Sequence, residues 1–281
     1  MAKVLIVGGG DVGGRLATGL AAAGHEVYGL RRSALTLPGV LALCGDVTEP
    51  ASLYFPPGLD YVFIILSSGE PGVDAYRRVY LEGTQQVLRA LAGQQLRRIF
   101  WVSSSSVYGQ EDGSWVDEDS PAEPASMTAR VLLEAETLIG NSAWPATVVR
   151  FAGIYGPGRL RLQRWVEAGR SVQAEPPLWT NRIHVEDCAG LLSFLFVQDV
   201  SGVPLASRYI GADGQPAPQH EVLGWLADRL ALPHVAGEIC PGAGSNKRLS
   251  HRRISALGYR LQFPGYREGY RAVMGASGEM N

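Results

Sequence analysis

Three groups of residues in this 281-residue chain have types and spacings suited to chemistry. The first is Gly8-x-Gly10-x-x-Gly13, with Asp11 and Val12 completing the turn, placed directly after the apolar run Lys3 to Val7. Such a turn needs glycine first for tightness, second so that backbone N–H groups approach a pyrophosphate, and third for close helix-to-strand contact. It points to a dinucleotide. The second group is Arg31-Arg32, ending a second strand at the place where an acidic side chain would hold a ribose 2′-hydroxyl. Two guanidinium groups there suit a 2′-phosphate, hence NADP with NAD as the alternative; the competing reading is a solvated arginine pair. Asp46, followed by Val47, is placed either to accept from an adenine amino group or to cap the next turn. The third group is the hydroxyl-rich run Ser103 to Gly109, which closes another strand.

The elements that must position these residues alternate. Lys3 to Val7, Glu26 to Leu30, Val40 to Leu43, Tyr61 to Leu66, Ile99 to Ser103 and Ala146 to Phe151 read as strands. Arg15 to Ala23, Ala75 to Ala92 and Thr128 to Ile139 read as helices between them. The fold class expected is therefore α/β, a Rossmann-type doubly wound parallel sheet with ligands at the carboxyl ends of the strands, where Leu66 and Ser67 lie. After Ile154 the pattern loosens, with helices near Val185 to Phe196 and His220 to Leu230 and a strand near Tyr209. Residues 1–155 are expected to form the dinucleotide-binding domain, with 183–205 returning to it. Residues 156–182 and 206–281 are expected to form a smaller, partly interleaved substrate lobe.

Composition excludes several classes. With 46% hydrophobic residues and a net charge of −2, the chain offers no broad footprint for nucleic acid or an anionic membrane. Its longest apolar runs are too short to span a bilayer, and its first residues lead into a glycine turn rather than a cleavage site, so a cytoplasmic location is expected. Cys44, Cys188 and Cys240 are widely spaced without a C-x-x-C, which argues against disulfides or a zinc site and for small buried residues; no metal is expected. Lysine is scarce: Lys3 and Lys247 are the only two.

Several stretches together resemble the extended short-chain dehydrogenase/reductases, the nucleoside-diphosphate-sugar epimerase and dehydratase branch. They are Asp46-Val47-Thr48, Tyr80 to Thr84, Ser103 to Gly109, and Arg150 to Gly158 with its Ile-Tyr-Gly-Pro. The resemblance implies a catalytic Ser104 that hydrogen-bonds the reacting oxygen, with Ser105, Trp179, Asn181 and Arg182 facing substrate. It also implies a small-molecule substrate such as a nucleotide sugar, and a homodimer built on helices such as Ala75 to Ala92.

The chain departs from that family at the base. Counting back from Glu134-Ala135-Glu136 puts Ser126 where a tyrosine is expected and Arg130 where a lysine is expected. An aliphatic hydroxyl ionises far above a phenol, and arginine cannot give up a proton, so the pair cannot serve as the usual base. Ser126 reads equally as a helix cap, Arg130 as a surface partner of Glu134, and Ser104 as a strand-end hydroxyl. Tyr108, Tyr155 and His184 are candidate replacement acids, each with a packing role as the alternative. Two functions remain: an NADP-dependent epimerase, dehydratase or reductase with a non-standard proton donor, or a catalytically silent NADP-binding sensor or scaffold.

Overall fold

A computed structural model describes residues 1–33, 36–234, 237 and 245–278. β1 (Lys3–Val7) leads through the glycine turn into α1 (Asp11–Ala22), then β2 (Glu26–Arg31), β3 (Val40–Cys44) and β4 (Tyr61–Ile64). The next helix begins as α2 (Val73–Tyr76), passes through a π-helical stretch (Arg77–Glu82) and continues as α3 (Gly83–Ala90). β5 (Arg98–Ser104), a 3-10 turn (Ser105–Val107), the short β6 (Trp115–Val116), α4 (Met127–Gly140) and β7 (Ala146–Phe151) follow. Beyond them lie β8 (Gly153–Tyr155), α5 (Arg161–Glu167), β9 (Trp179–Thr180), β10 (Arg182–His184), α6 (Val185–Val200) and β11 (Arg208–Gly211). The chain ends in β12 (Ala217–Pro218), α7 (Gln219–Arg229), β13 (Arg248–Leu249), α8 (Arg252–Leu257) and α9 (Tyr266–Gly278).

Seven strands make one parallel sheet in the order β11-β7-β5-β4-β1-β2-β3. This is the doubly wound arrangement expected, with the strand order reversing at β1 and β4, whose register pairs Val4 with Tyr61 and Val7 with Ile64. Strands buried on both faces need continuous apolar runs, and Val4 to Val7 and Tyr61 to Ile64 are all fully buried. Phe63 stacks on Phe100 at 4.7 Å, and Phe196 of α6 meets Tyr61 edge-on at 4.9 Å.

The chain divides into two compact units: 1–107 with 124–150 and 188–209, and 108–123 with 151–187 and 210–278 of the described residues. The segment 108–123, expected with the first part, belongs to the second. Its β6 pairs with β13, and the Glu118 carboxylate accepts the Ile210 N–H at 2.8 Å. The second unit has its own core, in which Tyr155, Leu178, Val222, Leu226, Tyr266 and Tyr270 are buried.

Three local expectations need correction. α1 starts at Asp11 rather than Arg15, because Gly10 takes the N-cap position and Val12 to Gly14 are already helical. The second helix is not regular throughout: its π-helical stretch has no periodicity signature to read. Cys44 is exposed whereas Cys188 is buried, and Cys240 lies outside the described residues.

Beneath the Ser103 to Gly109 run, the first unit holds a buried ion pair. Arg150 on β7 donates from Nε (2.9 Å) and Nη2 (2.5 Å) to Glu136 on α4, and the same carboxylate accepts from Ser103 Oγ at 2.6 Å. All three residues are less than a tenth exposed. Removing one charge strands the other in the interior, at a cost of about 3–5 kcal/mol. Glu136→Gln is therefore expected to lower the unfolding free energy by that order, read as a lower urea midpoint at unchanged m-value, and a loss below about 1 kcal/mol would refute the network's role.

Candidate functional site

The glycine turn is built for close approach. Gly8 sits at φ +106°, and a Cβ there would fall 2.0 Å from the Ile65 carbonyl oxygen. A Cβ on Gly13 would lie 2.1 Å from the Gly8 carbonyl oxygen, whereas one on Gly10 would meet nothing within 4 Å. Two glycines thus bring backbones together and the third leaves space at the start of α1, where the first-turn N–H groups and the helix dipole favour an anion. The adjoining cavity, of about 360 Å³, is lined among others by Gly8, Gly10, Arg31, Arg32, Asp46 and Ser67. Val47 and Leu66 also line it. Asp11, Val12 and Gly13 do not. Asp11 pairs with Arg15 at 2.9 Å, while Val12 and Gly13 are buried against the sheet.

Asp46 caps its turn. Its Oδ1 accepts from the Thr48 N–H (2.9 Å) and Oγ1–H (2.8 Å), fixing the turn, while Oδ2 lies 4.0 Å from Arg32 Nε. Arg31 and Arg32 both stand exposed at the end of β2. Beyond the residues that line this cavity, Tyr80, on the π-helical stretch, accepts the Ser68 N–H at 3.4 Å just after β4. Burial pushes its phenol up, so it stays protonated near neutral pH.

The serine run separates by role. Ser103 is committed to Glu136, while Ser104 Oγ, half-buried, accepts the Ser106 N–H at 3.1 Å, which leaves its O–H as a donor. Ser105 begins the 3-10 turn. Ser126 is the N-cap of α4, with its Oγ accepting from Ala129 N at 3.2 Å. Arg130 does not pair with Glu134; its Nε donates to the Pro124 carbonyl, and Glu134 is taken by Arg77 at 3.0 Å. The acidic residue of α4 that reaches the interior is Glu136.

In the second unit Tyr108 is buried, and its carbonyl accepts from Lys247 Nζ at 2.7 Å. Lys247 also donates to Ser245 Oγ, and burial lowers its amine to about 8. Tyr155 donates to the Gly265 carbonyl at 3.3 Å within the core, and burial followed by the nearby Asp213 pushes its phenol far up. It packs rather than titrates. Trp179 sandwiches Arg248 with Trp115, at 4.9 and 5.3 Å from the two rings, and does not line the unit's main cavity. Asn181 and Arg182 do.

That cavity, about 660 Å³, also carries Arg159, Arg161, Arg164 and Trp165. No motif announces these arginines; only their crowding after Pro157 marks them. Arg182 is buried, donates to Thr180 Oγ1, and lies 5.3 Å from the Tyr266 ring centre. Four guanidinium groups beside aromatic side chains suit an anionic ligand with a planar or apolar part.

A doubly wound sheet with this glycine cradle defines a dinucleotide-binding protein of the Rossmann type. The chain belongs to the NAD dependent epimerase/dehydratase family, whose model matches residues 4–204. A solved structure of a putative NAD-dependent epimerase/dehydratase from Methylobacillus flagellatus is 41% identical, with TM-score 0.84 over 98% of both chains. Protein YeeZ of Escherichia coli K12 is 29% identical over 94% of this chain and 97% of its own length. The 2-alkyl-3-oxoalkanoate reductase of Stenotrophomonas maltophilia is 30% identical over 83% of this chain and 77% of its own.

Asp213, just after β11, is buried, and burial raises its carboxyl to about 7, opposed by Arg182. The folded chain therefore keeps a proton that the unfolded chain loses near pH 4, so stability falls as pH rises from there through about 7. Asp213→Asn removes that loss. Its gain in melting temperature is expected to grow between about pH 4 and pH 7 and to level off above, reaching a few degrees; an unchanged melting temperature at pH 8 would contradict it.

Proposed function

We propose that the chain is an NADP-preferring oxidoreductase or epimerase that acts on a nucleotide sugar or a related carbonyl or alcohol, with a non-standard proton donor. The observation that carries the reading is the cradle formed by Gly8, Gly10 and Gly13 with Arg31 and Arg32 at its far edge. Its fit to a dinucleotide rests on space: a side chain at Gly8 or Gly13 would collide with backbone, while Gly10 is open. A bound nicotinamide would accept or supply a hydride. The chain's own residues hold and orient: backbone N–H groups at the start of α1 take the pyrophosphate, and Arg31 and Arg32 take the 2′-phosphate.

Ser104, with its O–H directed by the Ser106 cap, is the group proposed to polarise the reacting oxygen. The arginine cavity of the second unit supports an anionic substrate, which a nucleotide sugar satisfies through its diphosphate and an oxoalkanoate through its carboxylate. The silent-binder reading draws on different facts. Ser126 is engaged as a cap and Tyr155 is locked in the core, so neither supplies the missing acid.

Two measurements test the proposal. Arg32→Ala is expected to weaken NADPH binding by roughly ten- to a hundredfold while changing NADH binding by no more than about threefold. Equal losses for both cofactors, or a wild-type preference for NADH, would remove the 2′-phosphate role. A panel of nucleotide sugars and 3-oxo acids with NADPH should then show turnover that Ser104→Ala reduces by about 10²- to 10³-fold at unchanged cofactor affinity. Tight NADPH binding without turnover across the panel would favour the silent binder.

A further inference from the structure

Asp213 stands behind the arginine cavity rather than in it. Its backbone N–H donates to the Arg182 carbonyl at 2.8 Å, which fixes the two residues side by side. Its Oδ1 accepts from the Gln215 N–H at 3.0 Å, while Oδ2 has no hydrogen-bond partner among the described residues. Arg182, on the cavity wall, donates from Nη2 to Thr180, while its Nη1 likewise has no hydrogen-bond partner among the described residues. The carboxyl is 2% exposed and the guanidinium residue 4%. A buried acid and a buried cation thus interact through charge without satisfying each other. Such an arrangement is costly in a closed interior unless a third charge or a proton completes it.

We propose that this cavity takes up its anion together with one proton, and that Asp213 is the group that receives the proton, acting through Arg182. The proposal rests on reading the cavity as an anion site. Without an anion, the Arg182 charge favours the carboxylate form of Asp213. An anion on Arg182 cancels that support and adds a repulsion, so the carboxyl becomes protonated. Linkage is reciprocal: if the anion draws in a proton, a proton tightens the anion. Asp213 therefore tunes the cavity as a positioning residue, and does not itself touch the ligand.

The neighbouring groups leave this role to Asp213. Tyr155 on β8 and Tyr266 and Tyr270 on α9 are all pushed up by burial and stay neutral through pH 8. His251, whose ring packs over Gly214, is pushed down by burial, so it is neutral near pH 7. Asp187 at the start of α6 accepts the Gln262 and Phe263 N–H groups, and with Glu268 on α9 it pushes the Asp213 carboxyl up. His184 on β10 stands edge-on to Tyr155 at 5.2 Å, with its Nδ1 accepting from Glu186 N. Arg159, Arg161 and Arg164 line the cavity itself.

Calorimetry on the full chain tests the coupling, using UDP-glucose and inorganic sulfate as probes because neither changes charge between about pH 5.5 and 8.5. At about pH 8, titration in two buffers of different ionisation enthalpy should reveal uptake approaching one proton per anion bound, and at about pH 5.5 close to none. Affinity should fall by about tenfold from pH 6 to pH 8. Asp213→Asn should bind at pH 8 as tightly as the wild type binds at pH 6, without proton uptake. Wild-type binding that is independent of buffer at pH 8 would overturn the coupling while leaving the anion site standing, and needs no variant to fold. Proton uptake that survives in Asp213→Asn would overturn the assignment to Asp213. If neither probe binds at any pH, the anion reading falls and this proposal with it.

Discussion

The carboxylate of Glu136 is the point on which the serine-bearing end of β5 in the first unit depends. It joins three pieces of the first unit: the end of β5 through Ser103, α4 on which it sits, and β7 through Arg150. A buried ion pair adds little net stability over a well-packed apolar core, because desolvation offsets most of the attraction. Its effect is on geometry. The Arg150 fork admits one orientation of the carboxylate, and the Ser103 hydroxyl must point inward to meet it, so the adjacent Ser104 ends β5 in a defined position, where its Oγ accepts the Ser106 N–H. The alternation of side chains along β5 does the rest, sending neighbouring serines to opposite sides.

This network also bears on the departure at Ser126 and Arg130. α4 carries two acidic residues two positions apart, and a helix places such residues on different faces. Glu134 faces outward to Arg77 and Glu136 inward to Arg150. Counting from an acidic pair in sequence cannot separate these fates, because burial and not residue type distinguishes them. Ser126 satisfies the first turn of α4, and the Arg130 side chain folds back to the Pro124 carbonyl. Both are occupied in building the helix start.

The sheet was legible because its central strands are short apolar runs buried on both faces, a pattern that depends on nothing distant, while β3 at its edge is apolar in type but largely exposed. The glycine turn was legible for a similar reason: backbone overlap at Gly8 and Gly13 leaves no choice of residue. What the sequence hid depends on three-dimensional neighbours. Arg159, Arg161 and Arg164 lie in a loop and a short helix without periodicity, so their convergence on one cavity has no linear signature. Trp179, expected beside substrate, instead stacks on Arg248, about seventy residues later. Asp213 resembles any turn aspartate in Ala212-Asp213-Gly214, and only burial beside Arg182 gives it an unusual proton affinity.

The scarcity of lysine acquires a physical meaning from the same reasoning. Arginine fills nearly every basic position, including the buried Arg150 and Arg182, where a planar fork is useful. Lys247 is the buried exception. Its ammonium donates to the Tyr108 carbonyl and to Ser245, both within 2.7 Å, at a place where a compact donor on a flexible stem fits and a guanidinium fork would need more room. Tyr108 is thereby held through its backbone, just as Tyr155 is held through its hydroxyl. Family-like tyrosines survive in this chain as packing and anchoring groups, while the buried side chains poised near neutral pH are an amine and a carboxyl. Burial thus sets opposite outcomes in the second unit: it brings the amine of Lys247 and the carboxyl of Asp213 towards neutral pH and moves the phenols of Tyr155, Tyr266 and Tyr270 further from it.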